Sequence, residues 1–359
     1  MERLAKQVGT VVRNRVGHIT TPLMAAASRA IRDRLPLVDF VIDVRDTRLP
    51  FSSECDILLD SSSSSRRIIV FNKLDLAVSS LAKECIQHFE RQNFAAFGVN
   101  SHNITSVQQL LNFLQCQVRS LTKTDPERNT ITMMLIGIPN VGKSALANAL
   151  HQIGRISAAE KGKLKRAVVS PFPGETKSIS SLKVASHPNI YILDTPGVLP
   201  PQMSEIDVCA KLALTGAIGD SLAGEKLLAQ LFLSILNMSK EHQKWQKLST
   251  FEDAPLIKDE ITGNSERNKS WRDDLSTDHT KDSVVLSVRR RLAEAISSFK
   301  GNIHEDDDMV RLIEEELFSL RKAFNLCKEP DEDIDHKVAV KLLNLFRTGR
   351  LGHYMLDSL

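Results

Sequence analysis

Residues 137–144 read Gly-Ile-Pro-Asn-Val-Gly-Lys-Ser, and few octapeptides constrain a fold so tightly. Gly137 and Gly142 let the backbone curl so that successive N–H groups can face phosphate oxygens. Lys143 is placed to reach the outer phosphates, and the Ser144 hydroxyl to ligate Mg²⁺. The flanks suit that reading. Residues 131–136 form an apolar run that predicts a buried strand, and residues 145–150 open a helix whose positive end would face the phosphates. A glycine-rich turn without a ligand would need neither flank.

A second constraint lies about sixty residues upstream, where Asn72-Lys73-Leu74-Asp75 follows the apolar stretch 67–71. A carboxylate at Asp75 can accept from both N1–H and N2–H₂ of guanine, whereas adenine offers no such pair of donors and would leave the charge unpaired. Asn72 is expected to tie this loop to the phosphate loop, and the Lys73 stem to cover the base. Val99-Asn100-Ser101 closes another predicted strand (94–99) and is either an ordinary turn or a source of backbone N–H groups for guanine O6.

Downstream, Asp194-Thr195-Pro196-Gly197 follows the apolar run 190–193. Asp194 is placed to hold Mg²⁺ through a water, and the Gly197 N–H to meet a γ-phosphate. Thr176, in Pro173-Gly174-Glu175-Thr176, could be a plain loop threonine; its interval between the phosphate loop and Asp194 favours a second hydroxyl ligand for Mg²⁺. The expected nucleotide contacts are therefore Asn72, Lys73, Leu74, Asp75, Asn100, Ser101, Asn140, Val141, Gly142, Lys143, Ser144, Ala145 and Gly197, with GTP or GDP as ligand.

The order of these elements is rotated: base-reading loop, O6 loop, phosphate loop, threonine, Asp-x-x-Gly. A rotated order is compatible with one fold because ligands bind beyond the carboxyl ends of parallel strands, whichever connection carries the termini. The expected fold is α/β, a circularly permuted phosphate-loop domain built on a doubly wound parallel sheet, followed by an all-α C-terminal domain. The chain leaving Gly197 then runs straight into that helical part.

On these residues the sequence resembles the circularly permuted GTPases of large-ribosomal-subunit assembly, and within them the mitochondrial, plant-type DAR GTPase branch. Residues 37–42 leading into Asp46-Thr47-Arg48-Leu49-Pro50 occupy the place of that family's Asp-Ala-Arg-x-Pro signature, with Thr47 where the family has alanine. Arg155-Ile156-Ser157 and Lys161-Gly162-Lys163 fit as well. The resemblance covers nearly the whole chain. It implies GTP hydrolysis and a partner in the large subunit of the mitochondrial ribosome, both rRNA and protein.

Lys143, Thr176 and Asn140 are the candidates for catalytic roles. Asn140 matches the position where similar GTPases bind K⁺, although asparagine also suits the turn geometry. Two departures bear on turnover. Val198 follows the Asp-x-x-Gly glycine, where many GTPases place a glutamine that orients the attacking water. Leu23, in Thr21-Pro22-Leu23-Met24, stands where relatives carry a histidine, and His18 is a weak substitute. Slow intrinsic turnover is the expectation, and a catalytically weak guanine-nucleotide switch is the rival reading. A GTPase acting on a non-ribosomal protein partner is another.

At 359 residues two domains are expected. Their boundaries are read as an arm at 1–24, the permuted domain at 25–200 and helices at 201–359, with a disordered polar insertion at about 250–281. Five scattered cysteines without paired spacing argue against zinc and disulfides. No apolar run is long enough for an integral membrane span. Arg3, Lys6, Arg13 and Arg15 face a single acid, Glu2, while Leu4, Val8, Val11 and Val12 share a helical face. That pattern fits an organellar presequence, or a basic helix that touches RNA; the resemblance implies the mitochondrial matrix rather than a plastid. A net charge of +3 announces no nucleic-acid binder. Lys161, Lys163, Lys165 and Arg166, and the terminal group Arg347, Arg350 and His353, are either local RNA contacts or solvated loops and a frayed tail.

Overall fold

Short apolar runs of β-branched and aliphatic residues build the sheet, and amphipathic helices cover it. The structure, a computed structural model, describes residues 2–16, 22–58, 67–124, 129–157, 167, 169, 176, 178–186, 188–200, 205–245, 282–326 and 334–358. His18, the lysine-rich group 161–166, Pro173–Glu175, Pro201 and the 250–281 insertion lie outside the described residues.

Six strands, β1 (Phe40–Asp46), β2 (Arg67–Asn72), β3 (Ala95–Val99), β4 (Thr130–Ile136), β5 (Ser180–Ser186) and β6 (Asn189–Asp194), form one sheet in the order β3-β2-β1-β4-β6-β5. The pairs β1–β2, β1–β4, β2–β3 and β4–β6 are parallel. Counted from β4, the phosphate-loop strand, the chain order becomes cyclic: β4, β5 and β6 build one side and β1, β2 and β3 the other. The rotated motif order is thus a rotation of the strand order. One expectation needs correcting, since the sheet is not wholly parallel: β5 runs antiparallel to β6. Only two residues separate those strands, too few for a parallel crossover, which needs about a dozen or more.

Helices α1 (Glu2–Val16), α2 (Pro22–Arg34), α3 (Ser79–Arg91), α4 (Ile104–Thr124) and α5 (Lys143–Ser157) precede or connect the strands. One sheet face carries two apolar clusters. Val41, Met134 and Ile136 pack with Ile31, Ile57 and Val198. Ile69 and Phe71 pack with Cys85 and Phe89. Between them on β1 lie Asp43 and Arg45, almost wholly buried. Arg45 bonds Asp43 at 2.8 Å and Glu54 at 2.7 Å, while Arg67 bonds the same two acids at 2.5 and 2.6 Å. Two cations balance two carboxylates in charge, although Asp43 Oδ1 and Arg67 Nε make no hydrogen bond with the described residues; deleting one partner would strand a buried charge, at a cost of about 3–5 kcal/mol.

Helices α6 (Ile206–Leu214), α7 (Glu225–Met238), α8 (Ser283–Ser298), α9 (Asp306–Ala323) and α10 (Ile334–Arg347) follow, with no strand after Asp194 among the described residues. Two compact units emerge, Glu2–Leu228 with His353–Leu359, and Ala229–Gly352. The division therefore departs from the expected boundary at residue 200. α6 falls in the unit that holds the sheet; α1 packs along it, with Val8 and Val12 fully buried and Arg15 Nη1 donating to Leu222 O at 2.8 Å, and the Asn140 amide donates to Gly216 O just past its end. The tail is not frayed either: Leu351, Tyr354 and Asp357 are all buried.

In the unit Ala229–Gly352, Glu316 of α9 is fully buried and meets Asn237 of α7 at 3.0 Å, with no cation beside it among the described residues. Burial pushes the Glu316 carboxyl up to about 8, outweighing the Asn237 hydrogen bond, and Glu315 adds to the rise. The folded state therefore holds a proton that the unfolded chain releases near 4.5. Stability from this group is complete below that value and is lost as pH climbs to about 8, with a slope of at most ~1.4 kcal/mol per pH unit. Urea unfolding between pH 5 and 9 should show this decline in the native chain, and Glu316→Gln should flatten it.

Candidate functional site

Three loops meet at one amide. The Asn72 side chain, at the end of β2, donates from Nδ2 to Val141 O at 2.8 Å and accepts the Ser101 N–H at Oδ1 at 3.2 Å. Its backbone oxygen accepts from the Thr47 N–H at 2.9 Å and the Thr47 hydroxyl at 2.6 Å. Phosphate loop, base-reading loop, O6 loop and the Asp46–Pro50 loop are thereby pinned together. Gly142 belongs to the same arrangement: its φ is +93°, and a Cβ there would stand 2.3 Å from Asn72 Nδ2. Thr47, at the family's alanine position, adds a hydroxyl bond that alanine lacks.

The base-reading loop is shaped by Lys73, whose φ of 62° is unusual for a side chain with a Cβ. Lys73 Nζ bonds Asp46 at 2.9 Å, and Asp46 also holds Arg48 at 2.7 Å. Burial pushes the Asp46 carboxyl up, but Arg48 and Lys73 together outweigh it and hold it well below the usual carboxylate range. Leu74 and Asp75 follow in a short turn of 3₁₀ helix, Leu74–Leu76. Asp75 is half-buried, and its carboxylate makes no hydrogen bond or ion pair with the described residues. It is a charge waiting for donors.

The O6 loop differs from expectation. The Asn100 N–H donates to Ser106 Oγ at 3.0 Å and the Ser101 N–H to Asn72, so both donors expected to reach guanine O6 are already engaged within the protein. Asn100 Oδ1 accepts the His102 N–H at 2.9 Å, the geometry of an Asx turn.

At the other end of the site, Lys143 Nζ rests on the carbonyls of Gly137 and Ile138 at 2.9 and 2.8 Å. Burial pulls the Lys143 ammonium down to about 8, although Asp194 and Cys55 oppose the fall. An anion would reverse that shift. Ser144 Oγ lies 2.7 Å from Asp194 Oδ2 and 3.2 Å from Thr176 Oγ1, so the three residues expected around Mg²⁺ converge. Burial raises the Asp194 carboxyl, and its Oδ1 has no partner. Two hydroxyls and a buried, unsatisfied carboxylate form an oxygen donor set that fits a hard divalent cation. Gly197 packs against the phosphate loop, where a Cβ would stand 2.6 Å from Pro139 Cα. Val141 is buried, and Ala145 sits in the first turn of α5. Asn140 adopts φ 60° and donates from Nδ2 to Gly216 O at 2.7 Å, which links the phosphate loop to the end of α6. That bond was not legible from the turn chemistry alone.

Comparison with known proteins shows the family. A family profile described as 50S ribosome-binding GTPase matches residues 132–259, starting within β4 and leaving out Asn72–Asp75. DAR GTPase 2, mitochondrial, of Arabidopsis thaliana is 52% identical over 361 residues, covering 99% of this chain and 95% of that protein. Short integuments 2, mitochondrial, also of Arabidopsis thaliana, is 39% identical across 93% of this chain and 87% of its own length. Mitochondrial ribosome-associated GTPase 1 of Xenopus tropicalis is 34% identical, over 64% of this chain and 72% of its length.

Asp75→Asn should exchange guanine for xanthine preference, because the amide can donate to the carbonyl that xanthine carries in place of N2–H₂. Each lost charge-assisted bond to guanine should weaken GDP binding by about 1.5–3 kcal/mol. Competition of GDP, XDP and ADP for a fluorescent guanine nucleotide reads both effects; equal GDP and ADP affinity in the unaltered chain would refute the assignment of the base.

Proposed function

The chain belongs to the mitochondrial DAR GTPase family, and from that membership we propose that it is a GTP-hydrolysing assembly factor for the large subunit of the mitochondrial ribosome. The observation that carries the site reading is the convergence of Ser144, Thr176 and Asp194 beside Lys143, with Asp75, unpartnered among the described residues, at the base-reading end. Relatives named for ribosome association, and a profile named for 50S binding, support a ribosomal partner. The large subunit and the matrix are the finer reading. Relatives named as mitochondrial support import; α1 itself buries Val8 and Val12 and keeps its basic residues outward.

In this reading Lys143 exchanges its two loop carbonyls for the β- and γ-phosphates. Ser144, Thr176 and Asp194 would hold Mg²⁺, which would neutralise charge on the phosphates. The Gly197 backbone, lying on Pro139, registers the γ-phosphate. Asp75 selects guanine, with the Lys73 stem along the base.

Hydrolysis is slow without help. Val198 is only 5% exposed and packs with Ile31, Val38 and Ile57, so it presents nothing to an attacking water. Leu23, 62% exposed, is a hydrocarbon where relatives carry histidine. The ribosomal particle, and a K⁺ held with Asn140, are assigned the missing contribution. The burial of Val198 also favours a second reading, a guanine-nucleotide switch with little turnover.

Because the chain beyond Gly197 leads into α6, the GTP form should hold large-subunit particles more tightly than the GDP form, by roughly 5–150-fold, the ordinary range for such coupling. Co-sedimentation with mitochondrial ribosomal particles, in a non-hydrolysable GTP analogue and in GDP, checks this; equal recovery would remove the switch. Turnover in K⁺ should rise when particles are added and fall when Na⁺ replaces K⁺. A rate unmoved by particles would leave the second reading in place.

A further inference from the structure

The last described residues of the chain run alongside the base-reading loop. The Tyr354 N–H donates to Leu76 O at 3.1 Å, one residue past Asp75. The Leu356 N–H donates to Arg48 O at 2.9 Å, and Arg48 in turn holds Asp46, the partner of Lys73. Asp357 closes the segment. Its Oδ2 accepts the N–H groups of Phe51 and Ser52 at 2.9 and 2.8 Å, and its Oδ1 accepts the Ser52 hydroxyl at 2.6 Å and Lys211 at 3.2 Å. A terminal segment that packed on nothing would fray. Here a buried carboxylate gathers four donors from two distant stretches of chain.

We propose that residues 353–358 are a strap that positions the base-reading loop, with Asp357 as its latch. The proposal rests on the reading of Asp75 as the guanine-selecting residue. Asp75 has no bond of its own to the described residues, so its placement depends on the backbone of Leu74–Leu76. That backbone is held from one side by Asn72 and from the other by Tyr354. A recognition carboxylate loses its value when its support lets it wander by a fraction of an ångström to an ångström. The strap also reaches Lys211 on α6, the helix that follows the γ-phosphate loop in the chain. It therefore links the base-reading end of the site to the element downstream of Gly197. Asp357 acts through these loops and is a positioning residue.

The test uses the full chain and its Asp357→Ala and Asp357→Asn variants. Affinities for GDP and ADP are measured by displacement of a fluorescent guanine nucleotide, with the thermal midpoint recorded alongside. Releasing the latch should weaken GDP at least tenfold and leave ADP, which never used Asp75, nearly unchanged, so that discrimination narrows. Asp357→Asn should recover part of the loss, because its amide oxygen still accepts from Phe51 and Ser52. A merely destabilised fold would lower the midpoint without narrowing the GDP-to-ADP ratio. Unaltered discrimination in Asp357→Ala, with the native chain still selecting GDP, overturns the strap alone. A native chain that does not select GDP overturns the Asp75 reading and the strap with it. Should Asp357→Ala fail to fold, amide exchange in the unaltered chain decides: Tyr354 and Leu356 should be protected, and more so with GDP, whereas a tail exchanging at unprotected rates in both states refutes the proposal.

Discussion

One buried amide holds the nucleotide-facing end of the sheet together. Asn72 stands at the carboxyl end of β2, and its two side-chain atoms are used in different loops, Nδ2 on Val141 and Oδ1 on the Ser101 N–H. A donor and an acceptor on one rigid group set the spacing between those loops, and no other small side chain supplies both in that geometry. Being fully buried, it cannot trade either bond for water, so losing one would cost the desolvation of the stranded partner as well. Gly142 leaves the room for it, and Thr47 fixes the backbone from the opposite side. The base-reading end and the phosphate-reading end keep their distance because this junction does.

Rotating the strand order changes what lies downstream of each sensor. In this chain the Asp194–Gly197 loop leads to α6 instead of to further strands of the sheet. α6 packs along α1, its following loop takes the Asn140 amide at Gly216, and Lys211 on it meets Asp357. The chain then leaves for the helical unit at Leu228 and comes back at His353.

The strand ends that carry Asn72, Gly137 and Asp194 were legible because each follows a short apolar run that a local window contains. The all-helical character of the chain after Asp194 was legible too, and α6 to α10 lie within the stretch read as helical. What escaped the sequence depends on distant partners. Asp357 meets residues 305 and 306 positions away, and nothing near it suggests a latch. Asn140 reaches Gly216 across 76 positions. The Asn100 and Ser101 N–H groups look available in a turn, yet local folding consumes both. β5 was missed because its serine-rich edge carries only Leu182 and Val184 as alternating apolar residues. Glu316, in a run of three glutamates, gives no local sign that it alone is buried.

The measurement closest to the core of this account is the guanine-nucleotide affinity of Asn72→Asp. The carboxylate can still accept the Ser101 N–H, but it cannot donate to Val141 O, and it sets a charge beside that carbonyl. Titration of GDP and of a non-hydrolysable GTP analogue into the folded variant should show both weakened by at least tenfold, about 1.4 kcal/mol, with circular dichroism unchanged. Native affinity for both nucleotides in a folded Asn72→Asp protein would contradict the claim that this amide holds the site.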